Sequence, residues 1–411
     1  MSSKVTWSMK DKAAYEGILE QLKGFNTALE KVLPGPLQEF LKSVLPATAC
    51  ASSDTEQLLA VEDASAQQDH IRAQVEWSDA IRSSRGVPTG PKLDGTKYEL
   101  HTDIGKGSRI AVTSDANAFI LIDWTPWGTG SQDRATRLSE IAGVLGAGRR
   151  KELRILPCIG YLEEHNNRSE KARYALAYNM PSGSQSMKVK SLLDLLNTFE
   201  TVQVPPLEHR VGLARTLCRA MLLWHSSGWI HHDFRSHNIV FTSAPPAIGG
   251  IVQPRVTDYQ GVDIAEPFLV GFGHARDEAD ISVMFADKKA ISKTLKQQRR
   301  YWSPDYLSSS GSKRTNRSFQ RSHDIYSLGC VLLEIGVWKP LDSYSWDSTY
   351  DEDHEQWYRR LVREEGKLRA RCGSMYAEAV MTCLKWATSD LETDVQALAY
   401  DILLKLEEIK V

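Results

Sequence analysis

Apolar residues recur along residues 5 to 33 at spacings of three and four, through Tyr15, Ile18, Leu22, Phe25, Leu29 and Val32, with charges between them. That period lays one apolar stripe along a helix, suited to docking on another helix. Pro34-Gly35-Pro36 ends it, and a short apolar segment, Leu37 to Leu45, runs on to Pro46. Ser53-Asp54-Thr55-Glu56 has the form of a capping box and opens a third helix, with Leu58, Leu59, Ile71, Val75 and Ile81 on its inner side. From residue 83 the period stops in SSRGVPTGPKLDGTK, rich in Ser, Gly and Pro. Residues 1–85 are therefore expected to form a helical extension and residues 86–97 a linker. The extension is either an appendage packed on the main domain or a module for oligomerisation or partner binding.

After the linker the period shortens. Arg109 to Val112, Ala118 to Trp124, Leu153 to Leu156 and Ala172 to Tyr178 read as strands, with a helical segment from Arg134 to Leu145 between the second and third. From Ser191 onward the pattern is helical. Leu192, Leu193, Leu195 and Leu196 mark one helix, and Val211 to Trp224 marks the next. Asn238 to Phe241 reads as a short buried strand, and Phe268 to Val270 as a strand running into the flexible Gly271-Phe272-Gly273 turn. Ser322 to Ile335 is a strongly apolar helix, and Tyr376 to Ile409 a helical tail. The expected class is α+β, with a small β-rich part before a helical part.

Composition changes little in this picture. The chain has 411 residues, 42% hydrophobic and 25% charged, with a formal net charge of −2. A sizeable core is affordable, and nothing global points to nucleic acid or to an acidic membrane surface. In the basic stretch from Lys288 to Arg321 no interleaving of aromatics with the charges suggests base stacking, which favours a solvated segment over a nucleic-acid site. Six scattered cysteines without a C-x-x-C pair read as reduced core thiols. No run of about 18 apolar residues occurs, so no membrane span is expected and the default location is cytoplasmic or nuclear.

The candidate chemistry lies in Trp229-Ile230-His231-His232-Asp233-Phe234-Arg235-Ser236-His237-Asn238, a loop between a helix and a strand. An aspartate and an asparagine five residues apart there match H-R-D-x-x-x-x-N, and Asp324-x-x-Ser327-x-Gly329 follows at a distance. On these motifs residues 98–411 resemble the eukaryotic protein-kinase fold, a bilobal arrangement with an N-lobe over about 98–183 and a C-lobe over about 184–411. The segments Ala177 to Gly183, Gly228 to His231, Arg235 to Asn238 and Leu269 to Gly273 resemble a divergent fungal kinase-like family. Members of that family commonly carry an N-terminal HeLo (prion-inhibition and propagation) domain. Residues 4 to 33, with Trp7, Lys10, Asp11 and Lys12, resemble the last helix of such a domain.

The resemblance implies ATP and Mg2+ as cofactors and assigns roles to residues. Asp233 would be the catalytic base, Arg235 the contact to the transferred phosphate, and Asn238 a metal ligand. Gly105 and Gly107 would cradle phosphates, and Glu140 would stand where the partner of the strand lysine belongs. His231 and Phe272 would belong to the hydrophobic spine, Asp305 would close the activation segment, and Asp324 would anchor the loop backbone. Departures matter as much. Gly271 stands where D-F-G has its metal-binding carboxylate, and Ile120-Leu121-Ile122-Asp123-Trp124-Thr125 holds no lysine. His232 replaces the arginine of H-R-D. One escape is Val256 to Gly261, in which Asp258 would supply the missing carboxylate and Gly271-Phe272-Gly273 would be a later strand. The expectation is a pseudokinase acting as a signalling or binding module, its partners being other proteins. The alternatives are an active Ser/Thr kinase with unconventional metal ligands, and an adaptor that self-associates through its N-terminal helices in fungal incompatibility or cell death.

Overall fold

The structure is a computed structural model. It describes residues 89–103, 110–115, 118–125, 128–129, 132–147, 151–165, 171–180, 189–226, 229–242, 258–277, 297–308, 319–344, 354–386 and 395–411. The chain divides into two units, Met1–Leu45 and Pro46–Val411, and every described residue belongs to the second. The helices expected over residues 1–85, like Gly105 and Gly107, lie outside the described residues. What is described is a mixed α and β protein with small antiparallel sheets.

The larger sheet is built from β1 (Glu99–Asp103), β2 (Ile110–Asp115), β3 (Ala118–Trp124), β4 (Gly128–Thr129), β5 (Cys158–His165) and β6 (Lys171–Asn179). It runs β1-β2-β3-β6, with β4 and β5 also pairing β6, all antiparallel. Alternation along β3 decides what faces what. Ile120 and Ile122 pack with Leu162, Ala175 and Ala177 in one apolar cluster. Leu121 and Asp123 point to the opposite face, across from Tyr178 and Leu176. Helix α1 (Gln132–Ala147) covers the sheet with Leu138, Ile141, Ala142 and Leu145 buried.

One expectation fails here. Leu153 to Leu156 is a 3-10 turn (Lys151–Leu153) leading to a single bridge from Ile155 to Leu269, and the true strand is the next segment, β5. The described part of the expected linker is docked. Gly90 exchanges hydrogen bonds with Ser139 of α1, and Pro91 to Leu93 pair with Tyr161 of β5. Gly90 lies so close to Ala142 that a side chain there has no room.

The helical half contains α2 (Leu192–Leu196), α3 (Leu207–Ser226), α4 (Pro304–Ser308), α5 (Arg321–Val337), α6 (His354–Val362), α7 (Glu365–Trp386) and α8 (Val395–Glu407). Ser191 and Asp194 cap α2 reciprocally. α5 is buried from His323 to Val337, as a helix apolar all round must be. Gly329 and Gly336 let Cys383 and Tyr376 of α7 come against it. Short strands surround the loop of interest: β7 (Val189–Ser191), β8 (Trp229–Ile230), β9 (Ile239–Thr242), β10 (Asp258–Tyr259), β11 (Val262–Asp263), β12 (Pro267–Leu269) and β13 (Arg276–Asp277). β9 lies between β7 and β12, and β8 pairs with β13. No described helix is long and apolar enough to cross a membrane.

Candidate functional site

The loop from Ile230 to Ile239 begins at β8, ends in β9, and is fixed from beneath by α5. Asp324, fully buried, accepts the backbone N–H of His231 at 2.7 Å and of His232 at 3.0 Å, and its Oδ2 lies 3.1 Å from His225 Nε2. Burial alone would raise this carboxyl. The His225 hydrogen bond and charge, with the His231 amide, reverse that and hold it below its ordinary value. His231 goes the other way: burial drives its imidazole below the usual range against the pull of Asp324. Its ring lies 4.5 Å from Phe272 and 5.7 Å from Phe234, and Phe272 in turn lies 4.8 Å from Trp224. His232 adopts φ +69°, and its ring stacks on Phe319 at 4.2 Å beside Trp302, Tyr306 and His274. An apolar nest thus stands where the sequence comparison with H-R-D looks for a guanidinium.

Asp233 is buried, and its carboxylate is engaged from three sides. Arg235 Nε lies 2.8 Å from Oδ1, with both side chains almost wholly enclosed. Asn238 Nδ2 donates to Oδ2 at 2.8 Å and to the Asp233 carbonyl at 2.7 Å, and Gln298 Nε2 donates to Oδ2 at 3.3 Å. The structure therefore brings Asp233, Arg235 and Asn238 together, and adds Gln298, which sequence reasoning missed. Gln298 belongs to a segment tied down throughout. Tyr301 donates to Glu334 at 2.8 Å and shares a hydrogen bond with Ser236, while Arg300 pairs with Asp342 at 2.9 Å. Glu334 is completely buried, which pushes its carboxyl up to about 8 despite donors from Leu341, Tyr301 and Ser236.

Gly271 lies directly against this loop. Its backbone is left-handed, φ +87°, and a Cβ at that position would run into the Asn238 amide. The Val270 N–H donates to the Asn238 carbonyl at 2.9 Å. The Gly271 N–H itself donates to Asp123 Oδ2 on β3, at 2.7 Å. Asp123 is 5% exposed. A signal for it was present, since a carboxylate closing the apolar run Ile120-Leu121-Ile122 calls for an internal partner. Asp258 lies elsewhere, in the β10–β11 hairpin whose Tyr259 and Gln260 bond to Gln203 and Thr198. The group set against Asn238 is Gly271. Glu140 stands half-buried on α1, and Asp305 opens α4 at 3.7 Å from His323.

Gly271 offers this site no side-chain oxygen, the Asn238 NH2 group is spent on Asp233, and Asp123 spends one carboxylate oxygen on the Gly271 N–H. Among the described residues no group of three or more His, Cys, Asp or Glu could hold a metal ion.

One family model, HeLo, described as prion-inhibition and propagation, matches residues 1–61. No curated protein matches the chain.

Proposed function

We propose that this chain is a signalling and binding module whose residues 98–411 form a kinase-like domain that transfers no phosphate, carried behind a HeLo-type region. The observation that carries the reading is the state of Asp233. A general base must reach a substrate proton, and this carboxylate is enclosed and already accepts from Arg235, Asn238 and Gln298. Phosphoryl transfer rests on metal electrostatics and phosphate positioning, so losing both ligand sets removes most of the rate advantage. The order of a β-rich half and then a helical half, and the Asp324 bonds to the loop backbone, support the bilobal kinase-like reading.

Thermal unfolding with ATP, with and without Mg2+ or Mn2+, tests it beside phosphate incorporation. The expected result is no metal-dependent stabilisation and no incorporation. Metal-dependent stabilisation together with incorporation that Asp233→Ala abolishes would establish an active Ser/Thr kinase instead. The match at residues 1–61 favours a second role, self-assembly as an adaptor in fungal incompatibility or cell death. Light scattering should then show the full chain associating with rising concentration, and the chain lacking residues 1–85 remaining monomeric.

A further inference from the structure

The residues that contradict a nucleotide site do something definite of their own. β3 belongs to the sheet half, whereas Gly271 belongs to the strand-and-turn system of the helical half, and the two are 148 positions apart in the chain. The carboxylate-to-amide bond between them is short and shielded from water, the setting in which a charge-assisted hydrogen bond is strongest. Its surroundings repeat the connection. The Thr125 methyl lies where a Cβ on Gly273 would fall, at 2.6 Å, and the Leu269 N–H donates to the Arg154 carbonyl at 2.6 Å. From Gly271 the path continues without a break. Val270 bonds to Asn238, Asn238 bonds to Asp233, and Asp233 meets both Arg235 and Gln298.

We propose that Asp123 is a built-in latch, a carboxylate that fastens the sheet half to the Gly271 turn and so holds the two halves closed without any nucleotide between them. This rests on the kinase-like reading only for what the cleft would otherwise hold; the latch itself is a matter of contacts. In a protein that needs a nucleotide to join its halves, closure follows ligand concentration. Here the joining group is covalently part of β3, and closure is set by the sequence. The Asp233–Arg235–Asn238 loop is then presented in one arrangement, as a binding module requires.

Hydrogen exchange on the full chain without nucleotide tests the latch. Losing one buried charge-assisted bond in Asp123→Ala should speed exchange at Gly271 to His274 by about tenfold or more, with the amides of α5 unchanged. Asp123→Asn keeps a carbonyl acceptor at the same place and should recover most of the protection. The latch is refuted if Asp123→Ala leaves Gly271 exchanging within about twofold of the wild type, or if it speeds α5 equally, the mark of a general core residue. Adding ATP with Mg2+ to the wild type forms a separate arm. Slowing at Gly271 in that arm would overturn the inert-domain reading while the nucleotide-free comparison of variants still stood.

Discussion

Asp324 and Asp123 are both buried aspartates that accept backbone N–H groups, and they hold their partners in unlike ways. Asp324 has two successive amides of the loop after β8 and the imidazole of His225 on α3 converging on it, all buried. Asp123 takes the amide of a glycine whose backbone is left-handed, reached across from another sheet. Bonds to successive amides fix the loop backbone within the helical half, whereas the Gly271 bond ties two halves far apart in the chain. The Asp324 side is thus expected to depend on several bonds at once, and the seam with the sheet half to answer more sharply to a change at Asp123.

The sharpest test of that contrast is Asp324→Ala. It strands two N–H groups and His225 Nε2 in the interior, and should cost about 3–5 kcal/mol in denaturant unfolding, the range for breaking a buried charged network. Asp324→Asn, which keeps one acceptor oxygen, should cost clearly less. If Asp324→Ala is no worse than Asp123→Ala, the contrast is broken.

A second carboxylate of α5 is held the opposite way, and this gives the contrast a pH signature. Glu334 is raised from 4.5 to about 8 by burial, so the folded state favours its protonated form. Its contribution is full below pH 4.5 and is lost as the pH rises through about 8. Asp324, held below its ordinary value, contributes above pH 3.8 and is lost as the pH falls. Above the ordinary histidine range, where the lowered His231 no longer adds an opposing rise, stability of the wild type to denaturant should therefore decline from about pH 7 to 8, by no more than about 1.4 kcal/mol per pH unit, the limit for one proton. Glu334→Gln should flatten the decline. A slope unchanged in Glu334→Gln would show that the Tyr301–Ser236–Glu334 group does not carry it.

The two aspartates also mark what the sequence could tell. Asp324 sits in Ser-His-Asp-Ile-Tyr-Ser-Leu-Gly, a local pattern whose apolar period announces a buried helix, so both the helix and the special residue are visible. Strands β3 and β6 and the long helices were legible for the same reason, being periodic over many residues, and the Asp233–Asn238 loop was legible through its motif spacing. Asp123 drew notice only as part of a strand without a lysine, although a carboxylate closing the apolar run Ile120-Leu121-Ile122 asks for some internal partner. Its role depends on Gly271, 148 positions away, and neither residue carries a local signature of the bond between them. The docking of residues 89–97 was hidden likewise, because Ser, Gly and Pro signal a turn-rich chain and not whether Gly90 finds a helix to lie against. The small strands β8, β10, β11 and β13, two residues each, are too short for any period to show.

Gly271→Asp tests the seam from its other side, by placing a carboxylate on the turn. A side chain at φ +87° is strained, and its Cβ meets the Asn238 amide. The variant should lose about 2–3 kcal/mol and gain no phosphate incorporation. Incorporation gained without loss of stability would mean that the turn tolerates a carboxylate, and that the seam is not built around glycine.

The smallest effect is expected at the rim of the same seam. Arg154 and Glu266 form an ion pair at 2.5 Å, with side chains 16% and 33% exposed, beside the Arg154 carbonyl that receives Leu269. Water and salt screen such a pair, so Glu266→Gln should cost about 0.5 kcal/mol, most of it gone in high salt. The buried Asp123 bond is sheltered from that screening. Exchange at Gly271 should therefore barely change with salt in the wild type, and barely change in Glu266→Gln. If instead Glu266→Gln opened the turn as far as Asp123→Ala does, the seam would be held by its exposed charges, and the buried carboxylate would be an accompaniment to them.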